Sequence, residues 1–174
     1  MVADEWLVAR VADGDESALR ELLQRYQRPL CSFLHRQTGG REVDDLYQET
    51  WLRVVKHAGR FDGGKRFSTW LFQIAVNLGR DWHRRRGGES LSDGIGASDS
   101  TDVFVAADQV EATLDAQALL ALLPEAQREV LILRFYHDLS EQEIADIVGC
   151  PRGTVKSRLH HALARLSATE RASI

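Results

Sequence analysis

The clearest structural signal in the chain is LSEQEIADIVGCPRGTVKSRLHHALARL, residues 139–166. Ser140 and Glu143 have the spacing of a capping box, which predicts a helix that ends at Gly149. A second helix is predicted over Pro151–Ser167, because proline suits a first helical turn and apolar residues then recur at helical spacing. A short capped helix, a glycine turn and a basic amphipathic helix together predict a helix-turn-helix.

The second of these helices has an apolar back and a basic front. The front carries Gly153, Thr154, Lys156, Ser157, His160 and His161. Arg152 and Arg158 are candidates for phosphate contacts, and Lys156 and Ser157 for base edges in the major groove. The spacing alone leaves open an amphipathic hairpin whose basic face is only solvated.

Composition limits the classes of protein that the chain can belong to. Its 174 residues suffice for one domain or two small ones, and no apolar run is long enough to span a bilayer. The N-terminus lacks the pattern of a secretory signal, and two cysteines cannot build a disulfide framework or a zinc site alone. We therefore expect free thiols and a cytoplasmic location.

An acidic segment divides the chain into two parts. Residues 87–101, GGESLSDGIGASDST, are too polar to bury a core, and residues 87–118 hold seven acidic residues and no Lys or Arg. The net charge of the whole chain is −4, so the remainder is positive. We predict an all-α fold of two small helical domains, residues 1–86 and 108–174, joined by a flexible acidic linker over 87–107. A long surface loop inside one domain is the alternative.

Periodicity predicts four helices on each side of this linker. In the first part, Ser68 is expected to cap the helix that precedes the linker. The predicted spans are Glu5–Val11, Glu16–Gln37, Glu42–Ala58, Ser68–Arg86, Gln109–Leu122, Glu125–Tyr136, Glu141–Val148 and Pro151–Ser167.

Two helices of the first part carry polar faces that suggest binding. One face presents Gln73, Asn77, Arg80 and Arg84 after a glycine-rich basic loop, Gly59–Phe67. This pattern fits a groove for a nucleic-acid backbone, and helix capping and solubility are the alternative. Trp70 and Trp82 are expected in the core. The other face is acidic and contains an apolar residue, which favours protein docking over a solvated face or a carboxylate catalytic or metal site. It comprises Asp44, Asp45, Gln48, Glu49 and Leu52, bordered by Trp51.

These motifs, in this order, resemble the extracytoplasmic-function (ECF) sigma factors of the sigma-70 family. The likeness rests on DDLYQETWLRV from Asp44, FSTWLFQIAVNLGRDWHRRR from Phe67 and LPEAQREVLILRFYHDLSEQEIADIVGCPRGTVKSRLHHALARL from Leu123. It implies a factor that directs core RNA polymerase to promoters, with no enzymatic activity and no cofactor of its own. The implied partners are the β′ clamp helices and β flap of core polymerase, promoter DNA and an anti-sigma factor.

The resemblance also implies a role for each site. Docking on the clamp helices is assigned to Asp44, Asp45, Gln48, Glu49, Trp51 and Leu52. Melting and reading of the minus-ten element is assigned to Phe61, Lys65, Arg66, Phe67, Gln73, Asn77, Arg80, Asp81 and Arg84. Major-groove recognition of the minus-thirty-five element is assigned to Arg152, Gly153, Thr154, Lys156, Ser157, Arg158 and His161. The acidic linker is implied to thread the polymerase channels, where its charge would mimic nucleic acid.

Two rival functions remain at this point. A helix-turn-helix activator or repressor would bind operator DNA alone, usually as a dimer. A metalloenzyme would use the scattered candidates Cys31, His35, His57 and Cys150.

Many relatives hold Arg where this chain has His161 and Leu163, which weakens the expected contact with the minus-thirty-five element.

Overall fold

A computed structural model describes residues 2–86 and 115–172. Every regular element in these two ranges is helical, which confirms the predicted fold class. The N-terminal unit contains α1 (Asp4–Ala12), α2 (Glu16–Thr38), α3 (Val43–His57), a short 3₁₀ turn (Ala58–Arg60) and α4 (Phe67–Arg85). The C-terminal unit contains α5 (helical over 115–121), α6 (Glu125–Phe135), α7 (Glu141–Val148) and α8 (Arg152–Ala172). The predicted linker, 87–107, lies outside the described residues.

The N-terminal unit packs around α4. Buried Leu71, Ala75 and Leu78 recur along this helix at the spacing of one face and meet α2 and α3. The predicted cap was wrong: Ser68 lies inside the first turn, and Arg66 is the flanking residue. The backbone N–H of Phe67 instead donates to Glu5 Oε1 of α1 at 2.9 Å. A carboxylate from a distant helix thus satisfies one of the free amides at this helix start.

The helix-turn-helix forms as predicted. The Ser140 hydroxyl accepts from the Glu143 amide and the Glu143 carboxylate accepts from the Ser140 amide, which completes the capping box. Gly149 has φ +74°, a left-handed conformation that glycine adopts without steric cost, and it turns the chain toward α8. Val155 and Leu159 are buried, so the apolar back of α8 faces the core.

The two units pack directly against each other. Helix α7 lies along α4, and α6 lies against α2. Within the N-terminal unit, a Cβ added at Gly79 of α4 would come within 2.9 Å of Cγ of buried Gln37 on α2. Gln37 Nε2 also donates to Glu129 of α6 at 3.3 Å, so Gln37 lies at the junction with the C-terminal unit. Within the described ranges, no helix has the length and apolar character to cross a membrane.

Candidate docking and nucleic-acid surfaces

The predicted acidic face of α3 is a real surface feature. Asp44, Asp45 and Gln48 are exposed, and Leu52 is 64% exposed. Glu49 accepts a hydrogen bond from Arg53 Nε at 2.9 Å, one turn further along the helix. We call Asp44, Asp45, Gln48, Glu49 and Leu52 the acidic strip. Charged groups around an exposed leucine are suited to docking on another protein.

Two corrections apply around this strip. Trp51 was predicted to border it, but it is only 6% exposed and packs edge-on against Tyr47 and near Phe67. Its large apolar ring is more stable in the core than in water, so it supports the strip from beneath. Val55, which the sequence argument did not select, is exposed one turn from Trp51 and beside Leu52 along α3.

The front of α8 is also open. Gly153, Lys156, Ser157 and His161 are exposed, whereas Thr154 is half-buried. The Arg152 side chain is held by Glu141 at 3.0 Å, with Nε donating to the carboxylate. Arg158 is half-buried and lies 3.8 Å from the Cys150 sulfur, so it faces the turn more than the solvent. The exposed front is compatible with entry into a major groove.

The glycine-rich loop before α4 is flanked by aromatic side chains that pack against each other. Phe61 is half-buried and lies 5.0 Å, centroid to centroid, from half-buried Trp70. Phe67 was predicted as a DNA contact, but the structure places it fully in the core, where four rings surround it and shield it from solvent. Lys65 is exposed at the loop tip, beside the turn in which the Gly64 amide donates to Asp62.

The polar face of α4, Gln73, Asn77, Arg80, Asp81 and Arg84, is only partly open. Asn77 and Arg84 are exposed, and Arg84 pairs with Asp81 at 2.6 Å. Gln73 Nε2 instead donates to the Asp146 carbonyl of α7 at 2.7 Å. Trp82 lies in the core, as predicted, and Trp70 is half-buried.

Arg80 makes the most extensive contact of this face. Its Nε and Nη2 donate to the two carboxylate oxygens of Glu129 on α6, at 2.9 and 2.8 Å. Nη2 also donates to the carbonyl of Val148, at the C-terminal end of α7, at 3.2 Å. The hydrogen bonds to Glu129 raise the pKa of Arg80 above its ordinary value. At the start of α4, Arg66 pairs with Glu143 of α7 at 2.5 Å.

Sequence reasoning missed Glu129, although it carries this contact. The residue is 0% exposed, and Gln37 Nε2 of α2 donates to its carboxylate at 3.3 Å. The available signal was the pair Arg128-Glu129 directly before the apolar run VLIL, because charged residues seldom lie next to a core sequence without a partner. What they pair with could not be inferred from the local pattern.

Arg128, the neighbour of Glu129, ties α6 to the end of α5. Its guanidinium donates to the carbonyls of Leu120 and Leu123 at 3.0 and 2.8 Å, and reaches the Gln37 carbonyl at 3.4 Å. Burial lowers the pKa of Arg128 to about 10. One turn before Glu129, burial and then the charge of Glu129 raise the pKa of the Glu125 carboxyl.

Histidines line the junction between the two units. His83 Nε2 donates to the Gln37 carbonyl at 2.9 Å, and Gln117 of α5 donates to the His35 carbonyl at 2.8 Å. His137, in the loop after α6, lies against Phe33 and Phe72 of the N-terminal unit, with ring centroids 6.1 and 5.1 Å away. Burial lowers the pKa of all three of these histidines, that of His137 to about 4.

The scattered Cys and His candidates do not form a site. Among the residues that the structure describes, no group of at least three His, Cys, Asp or Glu side chains is arranged to hold a metal ion. Cys31 and Cys150 are both free thiols and half-buried.

Comparison with known proteins identifies relatives of both units. A family model described as Sigma-70 region 2 matches residues 22–89, and one described as Sigma-70, region 4 matches residues 113–166. An ECF RNA polymerase sigma-E factor of Haemophilus influenzae is 30% identical, covering 92% of each chain. An RNA polymerase sigma-H factor of Pseudomonas aeruginosa is 31% identical, covering 91% of this chain and 89% of the relative.

Solved structures give the same result. CnrH in complex with the cytosolic domain of CnrY matches with a TM-score of 0.77 and 28% identity, over 99% of this chain and 100% of that chain. The sigma factor RpoE of Bartonella quintana, solved with the anti-sigma factor NepR, matches with a TM-score of 0.71 and 28% identity, over 87% and 96% of the two chains. The similarity therefore extends over both helical units.

Proposed function

The chain belongs to the ECF sigma factors of the sigma-70 family, and from this premise we propose how its surfaces divide the work of transcription initiation. As an alternative sigma factor it binds core RNA polymerase and directs promoter-specific initiation. We assign residues 1–86 to polymerase docking and the minus-ten element, residues 87–107 to a connector, and residues 108–174 to the minus-thirty-five element. The polymerase supplies the chemistry of RNA synthesis, so the chain needs no catalytic site or cofactor of its own. We assign its action to the cytoplasm.

The acidic strip carries the docking proposal. Asp44 and Asp45 are exposed and Glu49 is half-buried around Leu52, and Trp51 closes the core behind them, so the strip is a preformed surface. We assign it to the β′ clamp helices. The exposed front of α8 supplies the minus-thirty-five contacts, with Lys156 and Ser157 at base edges and Arg152 at a phosphate. We also assign binding of the β flap of core polymerase to the C-terminal unit.

The minus-ten element is assigned to the polar face of α4 and the preceding loop. Asn77, Arg80 and Arg84 supply donors along one face, and half-buried Phe61 and Trp70 flank the loop where a flipped base can stack. Since Phe67 and Trp51 lie in the core, we propose that they support the loop before α4 and the acidic strip from beneath and do not contact DNA or polymerase directly. The solved relatives in complex with CnrY and with the anti-sigma factor NepR support an anti-sigma factor as a further partner.

A double substitution in the acidic strip tests the docking proposal. Asp45→Lys with Glu49→Lys reverses the charge of the strip without touching the core, so the fold is expected to persist. We expect the variant to lose capture of core polymerase and promoter-dependent transcription in vitro. Glu16→Lys with Glu21→Lys on α2 is a control for the change in net charge. Normal polymerase capture by the strip variant would refute the assignment.

The rival function makes a different prediction. A helix-turn-helix activator or repressor binds a specific site without polymerase, whereas this chain is expected to select promoters only as holoenzyme. Sequence-specific protection of genomic DNA by the chain alone, with no transcription from any promoter in the presence of core polymerase, would favour the rival.

A further inference from the structure

The loop before α4 has few contacts of its own that hold its shape. Residues 62–66 are all exposed, and a Cβ added at Gly63 would meet nothing within 4 Å. Inside the loop, the Lys65 amide donates to the Asp62 carbonyl at 2.9 Å, and the Gly64 amide donates to the Asp62 carboxylate at 3.0 Å. Because both hydrogen bonds are local to one turn, the position of the whole loop is set at its two ends.

Helix α1 contacts both of these ends. At the first end, the 3₁₀ turn Ala58–Arg60 packs against α1, and the Phe61 amide donates to the Ala58 carbonyl at 3.1 Å. At the second end, the Phe67 amide donates to Glu5 Oε1 at 2.9 Å. A carboxylate in the first turn of a helix ordinarily stabilises the dipole of its own helix, but this one also reaches the start of α4.

We propose that Glu5 is a positioning residue for recognition of the minus-ten element. Its carboxylate fixes where α4 begins, and thereby fixes the placement of the loop and of Phe61. The proposal rests on the proposed function of this loop and adds α1, a helix to which that function gives no role. Glu5 does not contact DNA, because it acts through the backbone of Phe67.

The residue before Glu5 fastens α1 to α2. The Tyr26 hydroxyl donates to Asp4 Oδ2 and Arg25 Nη1 donates to Asp4 Oδ1, both at 2.5 Å. Burial, and then the hydrogen bond to Asp4, raise the pKa of Tyr26, so its hydroxyl remains a donor. The Tyr26 ring also lies edge-on to Phe67, with the centroids 5.3 Å apart. The position of Glu5 relative to Phe67 is therefore defined from two sides.

Phe67 links the start of α4 to the aromatic side chains that flank the loop. Its buried ring lies edge-on to Phe61, with the centroids 6.2 Å apart, and Phe61 lies 5.0 Å from Trp70. In a closely packed interior, one ring cannot shift without displacing its neighbours. A shift at the start of α4 therefore moves Phe61 and Trp70, where the flipped base is proposed to stack. All of these residues belong to the N-terminal unit.

Hydrogen exchange in the free full-length protein tests the contact itself. Glu5→Ala removes the acceptor, whereas Glu5→Gln keeps a side-chain oxygen. Loss of a helix cap of ordinary strength makes opening about fivefold more favourable, so we expect amides within 61–70 to exchange about fivefold faster in Glu5→Ala. Glu5→Gln should resemble the wild type. Asp15→Ala, which removes the carboxylate cap of α2, is the matched control and should leave these amides unchanged. Unchanged exchange in Glu5→Ala would overturn the proposal.

Base selection by holoenzyme tests the consequence for recognition. The template is a promoter that the wild-type holoenzyme transcribes, with a preformed bubble in which the non-template minus-ten bases are randomised, and the bound DNA is sequenced. The ratio of preferred to rejected bases does not depend on how much of the protein is folded, so lost stability alone does not change it. We expect Glu5→Ala to lower this ratio about threefold or more, Glu5→Gln to restore it and Asp15→Ala to leave it unchanged.

Phe61→Ala, a change in the loop itself, separates this proposal from the proposed function. If Phe61→Ala weakens base selection and Glu5→Ala does not, the loop reads the minus-ten element and Glu5 is not a positioning residue. If the wild-type holoenzyme selects no base in the bubble and Phe61→Ala has no effect, the proposed function of the loop is refuted. The role of Glu5 in reading then falls with it, whereas faster exchange in Glu5→Ala would still establish the cap.

Discussion

The buried imidazole of His137 makes the stability of this protein depend on pH in a calculable way. Burial lowers its pKa from 6.5 to about 4, and the charge of nearby Arg36 acts in the same direction. The neutral ring is the form that fits against Phe33 and Phe72. Its contribution is therefore complete above about pH 6.5 and is lost as the pH falls toward about 4.

The size of the effect follows from the two pKa values. Each tenfold difference in proton affinity corresponds to about 1.4 kcal/mol, so the full loss is on the order of 3 kcal/mol at strongly acidic pH. At about pH 5 the unfolded chain has already taken up the proton and the folded chain largely has not, which gives a loss of about 2 kcal/mol.

Urea unfolding at about pH 7.5 and about pH 5 measures this loss, and a variant isolates it. His137→Leu keeps an apolar side chain of similar size but cannot be protonated. Other titrating groups, including His35 and His83, remain in both proteins and cancel in the comparison. We expect the free energy of unfolding of the wild type to fall by about 2 kcal/mol more than that of His137→Leu. An equal fall in both proteins would refute the argument that His137 is buried neutral in the junction.

Two further predictions concern DNA. Asn77→Ala is expected to leave holoenzyme assembly intact and to reduce open-complex formation on duplex promoters. A template with a preformed bubble should restore part of the activity, because its bases are already unstacked. Equal defects on both templates would instead indicate lost base recognition. Lys156→Ala is expected to reduce the preference of the holoenzyme for the base pair that Lys156 contacts by about 1–3 kcal/mol. Arg152→Ala should weaken binding to all promoter sequences alike and lower the slope of log affinity against log salt concentration by about one. Titration of holoenzyme with promoter DNA at several salt concentrations measures both effects.

The helices, and both ends of α7, were accessible to sequence reasoning because their signals are local. The capping box at Ser140 and Glu143 and the turn at Gly149 act within a few residues, and α7 was predicted over its observed range. The exposed acidic strip and the exposed front of α8 were predicted in the same way, since helical spacing fixes which side chains share a face. The errors at Trp51 and Phe67 share one cause: aromatic residues near a polar face can turn either outward or inward, and the choice depends on neighbouring helices.

The contacts between distant residues had no local signal. Glu5 caps α4 in place of Ser68, across 62 positions of the chain, and Arg80 meets Glu129 across 49. Periodicity shows that a helix has a polar face but not whether that face meets water, DNA or another helix. Only the packing of α6 and α7 on α4 decides that part of the polar face of α4 is covered, because a buried carboxylate and its arginine must be brought together by the tertiary fold before either can satisfy the other.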